Sequence, residues 1–390
     1  MKLSGTIILK KGRTQSVERF HPWIFSGAID RIDGKTEDGD WVKVVDHKGN
    51  TLGFGHYQKS TITVRLLSFA QNIPTDDIWL QKLTAAFDQR VASGIISEQT
   101  NAFRLIHGEA DGLPGLIVDI YNGVAVMQAH DAGMYQDRHE IAKGLQQLMG
   151  NHLSAIYLKS QPAGKKTESE YLFGMGVVPH IIAEHGNRFY VDWEEGQKTG
   201  FFLDQRENRR LLSDFVKNKT VLNTFCYTGG FSVYAVNGGA LRVHSVDASE
   251  KAISLTEKNL ELNGIDPTHH KCFAADTFDF FASSDEAYDV IILDPPAFAK
   301  HRDAKHQAMK GYQRLNAEAM RKVKSGGIIF TFSCSQVVGR QLFYDTIVSA
   351  AIQSGREIKV LQHMGHPADH PVSLYHPEGE YLKGLVLYVA

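Results

Sequence analysis

Short apolar runs separated by polar turns characterise the first part of the chain. The runs are rich in β-branched and aromatic residues, and glycine, asparagine and aspartate cluster between them, so that each run predicts a strand. Their positions are 6–9, 41–45, 51–55 and 61–67. Strands this short and this closely spaced are typical of a β-barrel-like domain, which we expect over residues 1–72.

The next stretch, residues 73–190, mixes two periodicities. Apolar positions recurring every three to four residues predict helices, whereas continuous apolar runs predict strands. The helices lie at 75–94 and 135–149, and the strands at 103–107, 116–121, 123–129 and 155–159. We therefore expect a central α+β domain over residues 73–190.

From residue 191 onward, strands and helices alternate regularly. The strands lie at 221–225, 242–246, 271–275, 289–293, 327–332, 358–361 and 385–389, and the helices at 231–238, 249–263, 306–324 and 339–354. Strands joined through helices of this length require right-handed crossovers, which build a doubly wound parallel sheet. We expect an α/β Rossmann-like domain over residues 191–390, with its function at the carboxyl ends of the strands.

Composition adds a charge asymmetry to this picture. The 390 residues are 43% hydrophobic and 22% charged, which suits two or three ordinary domains. The net charge of −2 gives no sign of a polyanionic partner, yet residues 1–72 carry 11 Lys/Arg against 7 Asp/Glu. There is neither a membrane-length apolar stretch nor a signal-peptide core. We expect a cytoplasmic protein that has a basic first domain and does not contact a membrane.

Glycines and acidic residues follow the first three strands of the last domain. The glycines of Phe225-Cys226-Tyr227-Thr228-Gly229-Gly230 let the backbone approach a ligand at the start of a helix. Asp247 ends the second strand, where it can accept hydrogen bonds from a ribose, and Asp276 ends the third, where it can read an adenine edge. Each acid by itself would more often be a helix cap. Because the dinucleotide fingerprint G-x-G-x-x-G is absent, the combination favours S-adenosylmethionine and a class I methyltransferase.

The fourth and fifth strands end in Asp294-Pro295-Pro296 and Ser333-Cys334-Ser335. Because these strands are neighbours in this fold, we expect Asp294 and Cys334 to lie side by side. Carbon 5 of a pyrimidine attacks a sulfonium poorly unless a thiolate first adds to carbon 6. We therefore expect Cys334 to be a nucleophile and Asp294 to hold the ring, although Cys334 could also be a small buried hydrophobe.

The remaining cysteines, a group of histidines and a basic run are weaker candidates for functional residues. Cys272 lies within a strand and Cys226 on the first-strand loop, and we expect covalent chemistry from neither. The histidines at 363, 366 and 370 are interrupted by Gly365 and Pro367, so that we expect no metal site. A basic run after Asp294 fits either a solvated helix face or phosphate contacts. Its members are Lys300, Arg302, Lys305, His306 and Lys310.

Motifs along the whole chain resemble those of the RlmI-type ribosomal RNA large-subunit methyltransferases. They lie at 21–27, 108–116, 198–206, 227–232, 294–296, 333–335 and 380–385. No single motif is specific, but the combination is. The resemblance implies an N-terminal PUA domain, a central α+β domain and a C-terminal class I methyltransferase that makes 5-methylcytosine in 23S rRNA, with Cys334 as nucleophile beside Asp294.

The resemblance also implies binding residues and partners. S-adenosylmethionine is expected to contact Thr199, Phe201, Asp204, Arg206, Phe225, Tyr227, Thr228, Gly229, Gly230, Asp247, Ala248, Asp276, Thr277 and Asp294. Ribosomal RNA is expected to contact Arg13, His21, Trp23, Lys300, Arg302 and Lys310. Family members often occur as homodimers, which makes a homodimer a further expectation.

Two other functions stay open at this point. Asp294-Pro295-Pro296-Ala297-Phe298 also looks like the motif of amino-group methyltransferases, whose chemistry needs no cysteine. A non-catalytic RNA-binding protein of ribosome assembly is the second. Many RNA 5-methylcytosine enzymes of another family carry a second cysteine after the motif's proline. Here Pro296 and Ala297 follow Pro295, so the base that removes the carbon 5 proton is not identified.

Overall fold

The structure is a computed structural model that describes residues 2–159, 169–298 and 305–390. Two positions expected to contact RNA, Lys300 and Arg302, lie outside these ranges. The chain forms two compact units. The first consists of Met1–Ile182, Val191–Leu203 and Ala368–Gly379, and the second of Ala183–Tyr190, Asp204–Pro367 and Glu380–Ala390.

Six strands form the first sheet of the first unit. They are β1 (Gly5–Leu9), β2 (Trp23–Phe25), β3 (Ile29–Gly34), β4 (Trp41–Val45), β5 (Thr51–Tyr57) and β6 (Ile62–Ser68), with the short helix α1 (Gln15–Glu18) after β1. Their order is β2-β6-β5-β4-β1-β3. The four predicted strands are present. The other two escape prediction because β2 has three residues and half of the side chains in β3 are charged.

A second sheet in the same unit carries the central helices. Its strands are β7 (Ala102–His107), β8 (Leu116–Tyr121), β9 (Val124–Ala129), β10 (Ala155–Leu158) and β11 (Glu170–Gly174), and the helices are α2 (Ile78–Ala92), α3 (Ala132–Gln136) and α4 (Arg138–Met149). The predicted helix 135–149 is therefore wrong as a single element. Asp131 starts α3 by accepting hydrogen bonds from Gly133 and Met134, and a new helix begins after Asp137. A hairpin of β12 (His180–Glu184) and β13 (Asn187–Val191) follows.

Seven strands form the sheet of the second unit. They are β14 (Thr220–Thr224), β15 (Arg242–Asp247), β16 (His270–Ala274), β17 (Tyr288–Leu293), β18 (Val323–Ser333), β19 (Ile358–Met364) and β20 (Lys383–Val389). The helices are α5 (Arg206–Leu212), α6 (Gly230–Asn237), α7 (Glu250–Leu262), α8 (Thr277–Ser283), α9 (Lys305–Lys322) and α10 (Arg340–Ser354). Along β17, Ile291 and Leu293 pack into one core and Val290 and Ile292 into another, so both faces of the sheet are covered, as a doubly wound fold requires.

One part of the predicted all-parallel sheet is wrong. The order is β16-β15-β14-β17-β18-β20-β19, and β20 runs antiparallel to both of its neighbours. The crossover through α10 places β19 in the direction of β18 and leaves a gap of one strand, and the returning chain fills the gap in the opposite direction. As a result, Lys383 at the start of β20 pairs with Ser333 at the end of β18.

Within the described ranges, no helix combines the length and the apolar character that crossing a membrane requires.

Candidate active site

Two neighbouring parallel strands bring the expected reactive residues together. In the β17–β18 pair Leu293 lies beside Thr331, so that Asp294 and Cys334 both follow strand ends at the same edge of the sheet. The Sγ atom of Cys334 lies 4.0 Å from the carbonyl oxygen of Pro295. The sequence-based expectation that the two strand ends adjoin is therefore confirmed, and a partly buried thiol faces the Asp294-Pro295 segment.

Lys383 is a component of this site that the sequence reasoning missed. Only 3% of its surface is exposed, and its Nζ donates to the carbonyl oxygen of Ser335 at 2.6 Å and to that of Val338. Burial lowers the pKa of Lys383 to about 8, which outweighs the favourable interaction of its ammonium group with Cys334. A single lysine within the apolar run Tyr381-Leu382-Lys383-Gly384-Leu385 was the available signal.

Tyr312 closes the buried side of the cysteine loop. Its hydroxyl accepts a hydrogen bond from Ser333 at 3.0 Å, and its ring packs on Phe298 with 4.7 Å between centroids. Burial raises the pKa of Tyr312 to about 12, against the opposing effect of the Ser333 hydrogen bond. The phenol is therefore neutral near pH 7 and supports the loop rather than acting as a base.

The other two thiols lie in environments that keep them protonated. Burial raises the pKa of Cys272 to about 11 and that of Cys226 further still. Cys226 Sγ lies 3.7 Å from the Thr256 hydroxyl on α7. Because the thiolate is the reactive form of cysteine, neither residue is activated where it stands.

The loop after β14 is held in a strained conformation. Phe225 and Tyr227 have φ values of 54° and 48°, and Gly229 follows with 77°. Bulky residues seldom adopt this left-handed region, and such strain concentrates where a loop must present its backbone to a ligand. A side chain at Gly229 would place Cβ 2.6 Å from Thr256 Cγ2, so glycine is required there for space as well.

Helix α7 holds this loop from beneath through two residues that the sequence reasoning missed. The Thr256 hydroxyl donates to the carbonyl oxygen of Tyr227 at 2.9 Å, and the Asn259 amide donates to that of Thr228 at 2.8 Å. Positions three apart share one helix face, so polar residues at this spacing in an otherwise apolar stripe were the signal.

Asp247 joins the first two strand ends. Its Oδ2 accepts from the backbone N–H of Tyr227 at 2.9 Å, and its Oδ1 accepts from that of Ser249 at 2.9 Å. Each carboxylate oxygen has further lone-pair capacity, so hydroxyl groups of a ligand can still be accepted. The next residue, Ala248, is exposed.

Asp276 is a helix cap, which is one of the two functions that its position allowed. Its Oδ1 accepts from the backbone N–H groups of Phe278 and Asp279 at the start of α8, and Thr277 between them is buried. The carboxylate is nevertheless exposed at the carboxyl end of the third strand. A contact with adenine therefore stays a prediction.

The residues upstream of β14 that are expected to contact S-adenosylmethionine are divided between the two units. Thr199 and Phe201 belong to the first unit, where the Thr199 hydroxyl donates to Asp119. Asp204 and Arg206 belong to the second unit, where both are buried. The Asp204 carboxylate accepts a hydrogen bond from the hydroxyl of Tyr381 at 2.7 Å, and this contact connects it to the segment leading into β20.

A buried ion pair supports the start of α6. Arg209 donates two hydrogen bonds of 2.8 Å to Glu184, and both side chains are buried. A side chain at Gly230 would place Cβ 3.0 Å from Arg209 Cδ, which explains the second glycine of the pair.

Of the described residues expected to contact RNA, Arg13 and Lys310 are exposed, whereas His21 and Trp23 are partly buried. The Trp23 indole donates to Glu109 at 2.9 Å. RNA binding by these four residues stays a prediction.

Comparisons with known proteins agree with this arrangement. Residues 7–69 match the model of a PUA-like domain, and residues 103–371 match that of S-adenosylmethionine-dependent methyltransferases. Ribosomal RNA large subunit methyltransferase I of Tolumonas auensis is 39% identical over 99% of both chains. The protein of the same name from Escherichia coli is 37% identical over 99% of this chain and 100% of its own.

Solved structures give the same result. A Streptococcus mutans protein described as a SAM-dependent methyltransferase superposes with a TM-score of 0.85 at 25% identity, covering 98% of this chain and 100% of its own. A methyltransferase structure in complex with SAH has a TM-score of 0.86 at the same identity and coverage. The predictions of a PUA-like domain, a Rossmann-like methyltransferase and S-adenosylmethionine as cofactor are confirmed. The chain belongs to the S-adenosylmethionine-dependent methyltransferase family that includes the proteins named ribosomal RNA large subunit methyltransferase I.

Proposed function

We propose that this enzyme methylates carbon 5 of a cytosine in the 23S rRNA of the large subunit, through a covalent bond between Cys334 and carbon 6. The substrate class rests on relatives that are named for large-subunit ribosomal RNA and match over nearly the full chain. The observation that carries the chemistry is the placement of the Cys334 thiol 4.0 Å from Pro295 O, with the buried ammonium group of Lys383 on β20 bonded to the carbonyl oxygen of the next residue, Ser335.

The residues at the strand ends fit the cofactor. When bound, S-adenosylmethionine supplies a methyl group on a sulfonium. The strained loop at Phe225 and Tyr227, with no room for a side chain at Gly229, presents backbone to the ligand. Asp247 would accept hydrogen bonds from the ribose, and Asp276 would lie toward the adenine. The remaining expected contacts around Thr199 to Arg206 and at Asp294 belong to the same proposal.

The proposed reaction begins at Cys334. Its thiolate forms a bond to carbon 6, and the electron pair of the C5=C6 bond moves into the ring, which makes carbon 5 nucleophilic enough to accept the methyl group. Asp294 holds the ring by donating the proton of its carboxylic acid to N3, where the electron pair accumulates, and by accepting a hydrogen bond from the exocyclic amine. A base then removes the carbon 5 proton, the C5=C6 bond forms again, and the thiolate leaves. Tyr312 is a poor candidate for this base, because its pKa of about 12 means that the phenol is neutral near pH 7.

The lysine supports this chemistry electrostatically. A positive charge near a thiol lowers its pKa and increases the fraction present as thiolate. The Lys383 ammonium group donates to the carbonyl oxygens of Ser335 and Val338, which follow Cys334 in the chain. These hydrogen bonds hold the positive charge close to the cysteine loop. An amino-group methyltransferase has no use for an activated thiol at this place, which favours the carbon 5 reaction over that alternative.

The test is methylation of rRNA from a strain that lacks the enzyme, with the product mapped by mass spectrometry. The unmodified enzyme should add one methyl group to carbon 5 of a cytosine, and Cys334→Ser and Cys334→Ala should abolish transfer while Cys272→Ser retains it. Retained transfer in both Cys334 variants, with the methyl group on an amino nitrogen, would replace this proposal by the amino-group reaction. Absence of transfer together with absence of S-adenosylmethionine binding would favour a non-catalytic RNA-binding protein.

A further inference from the structure

Three large aromatic side chains are exposed together on the first unit. Phe20 is 52% exposed, Phe25 43% and Tyr375 56%. The Phe20 and Tyr375 ring centroids are 5.4 Å apart. We call these three rings the aromatic surface. Most large aromatic residues of a folded protein are buried, so an exposed group of them indicates an interaction site.

Partly buried rings connect the aromatic surface into one continuous patch. Trp23 lies 6.3 Å from Phe25 and 4.4 Å from His376, which follows Tyr375 in the chain. His21, which follows Phe20, lies 5.4 Å from His376. The patch therefore combines the turn before β2, β2 itself and the returning segment Ala368–Gly379.

The polar atoms of His21 and Trp23 form hydrogen bonds within the protein. The Trp23 indole donates to Glu109, and His21 Nδ1 accepts from the backbone N–H of Trp23 at 3.1 Å. With Nδ1 as acceptor, the neutral ring carries its proton on Nε2, which lies 3.6 Å from Glu378 Oε2. His21 and Trp23 thus hold the patch in shape, and the rings accessible to a ligand are Phe20, Phe25 and Tyr375.

The backbone at Phe20 adopts a conformation that is rare for a bulky residue. Phe20 has φ of 60°, a conformation that glycine or asparagine normally supplies at the end of a helix. Hydrogen bonds from Phe20 N to Val17 O and from His21 N to Ser16 O, both 2.9 Å, fix this turn after α1. A bulky residue at such a position, half exposed, is the kind of local strain that occurs at binding sites.

Basic residues flank Phe20 and Phe25 along the chain. Residues 2–29 carry five Lys or Arg and a single acidic residue, Glu18. Lys10 Nζ donates to the carbonyl oxygen of Gly27, two residues after Phe25, and Arg19 directly precedes Phe20. Exposed rings interleaved with cations are what single-stranded nucleic acids bind, since bases stack on the rings while phosphates contact the cations.

We propose that the aromatic surface binds unpaired nucleotides of an RNA by base stacking, and that Lys10, Arg13 and Arg19 contact the adjoining phosphates. The identity of this RNA as the methylation substrate rests on the proposed function. The stacking itself does not depend on chemistry at Cys334.

The test measures binding of a fluorescein-labelled single-stranded oligoribonucleotide and of the same sequence as a duplex. Phe25→Ala and Tyr375→Ala should each weaken binding of the single strand about 5- to 100-fold, with less effect on the duplex. Tyr375→Phe keeps the ring and should bind as the unmodified enzyme does. Val177→Ala, which removes an apolar side chain that is 77% exposed elsewhere in the same unit, is the matched control and should change nothing.

Far-ultraviolet circular dichroism and a thermal unfolding midpoint equal to those of the unmodified enzyme verify that each variant is folded. Unchanged single-strand binding in both alanine variants overturns the proposal. Loss of self-association in ultracentrifugation, with RNA binding unchanged, overturns it in favour of a protein interface. The binding measurement is repeated in Cys334→Ser, so failure of the stacking proposal appears in binding, whereas failure of the methylation proposal appears only in product mapping.

Discussion

Lys383 and Ser335 are joined by a hydrogen bond of 2.6 Å from the buried ammonium group to the backbone carbonyl oxygen. Cys334 lies between Ser335 and Ser333, and Ser333 is the cross-strand partner of Lys383. The antiparallel insertion of β20 therefore anchors a cation in the loop that carries the thiol. This relationship connects the topology of the sheet to the reactivity of the cysteine.

Replacing Lys383 should weaken the thiol's acidity. In Lys383→Met we expect the pKa of Cys334 to rise, because the opposite charge that favours the thiolate is gone. Methyl transfer should fall about tenfold or more at neutral pH. The measurement is the pH profile of Cys334 alkylation by iodoacetamide in a Cys272→Ser background. Lys359→Met on neighbouring β19, at an exposed position, is the control, and a Lys383→Met profile identical to that of the control would show that the charge is irrelevant.

The pH dependence of activity should reflect the same lysine. Burial holds the pKa of Lys383 at about 8, below its ordinary value of 10.5. Between these values the unfolded chain binds more protons than the folded one, so the residue's contribution to stability becomes more favourable as pH rises. Deprotonation in this range also removes the charge beside Cys334, while the thiol itself ionises increasingly as pH rises, so the lysine should matter most below about pH 8. We expect Lys383→Met to reduce methyl transfer about tenfold at neutral pH and progressively less above about pH 8, where the lysine of the unmodified enzyme becomes neutral. A ratio of the two activities that does not change with pH across this range would contradict this.

Asp247→Asn should impair cofactor binding. The carboxylate fixes Tyr227 and Ser249 and would also accept from the ribose, so its loss removes charge-assisted hydrogen bonds in both places. We expect S-adenosylmethionine affinity to fall about ten- to a hundredfold in calorimetry. Asp266→Asn is the control, since the Asp266 side chain also accepts a hydrogen bond from a backbone N–H, that of Thr268, in the same unit but lies after α7. Equal affinities for the two variants would remove Asp247 from the cofactor site.

Gly229→Ala should destabilise the second unit through a steric clash. The new Cβ would lie 2.6 Å from Thr256 Cγ2, in addition to the cost of a φ of 77°. Gly264→Ala pays only the backbone cost, because φ is 68° and nothing lies within 4 Å of its Cβ. In denaturant unfolding we expect Gly229→Ala to lose about 1–3 kcal/mol more than Gly264→Ala. Equal losses would mean that the loop moves away from α7 without cost.

Sequence periodicity sufficed for the elements that position the active site. Continuous apolar runs mark β17 and β18, and the helix between them requires a parallel crossover, so the adjacency of Asp294 and Cys334 follows from local pattern and handedness. The position of β20 does not follow, because an antiparallel return strand has the same apolar pattern as a parallel one. Lys383 was missed for that reason, since its partner Ser333 is 50 positions away in the chain.

Local backbone conformation was the second feature that could not be predicted from the sequence. Nothing in the residue types of Phe20, Phe225 or Tyr227 indicates a positive φ, because such strain is imposed by tertiary contacts. Helix α8 has seven residues, too few for a clear amphipathic repeat, although its cap Asp276 was noted as an acidic strand-end residue.

The central claim is the covalent bond between Cys334 and carbon 6 of the target cytosine. Substrate RNA containing 5-fluorocytidine tests it directly. Fluorine replaces the carbon 5 proton that the base must remove, so Cys334 cannot be released and the enzyme stays attached to the RNA. With S-adenosylmethionine present, we expect the unmodified enzyme and Cys272→Ser to form a complex with this RNA that survives denaturing electrophoresis, with Cys334 as the modified residue in mass spectrometry. A stable complex that forms equally with Cys334→Ser, or methylation by the unmodified enzyme without any such complex, would contradict the claim.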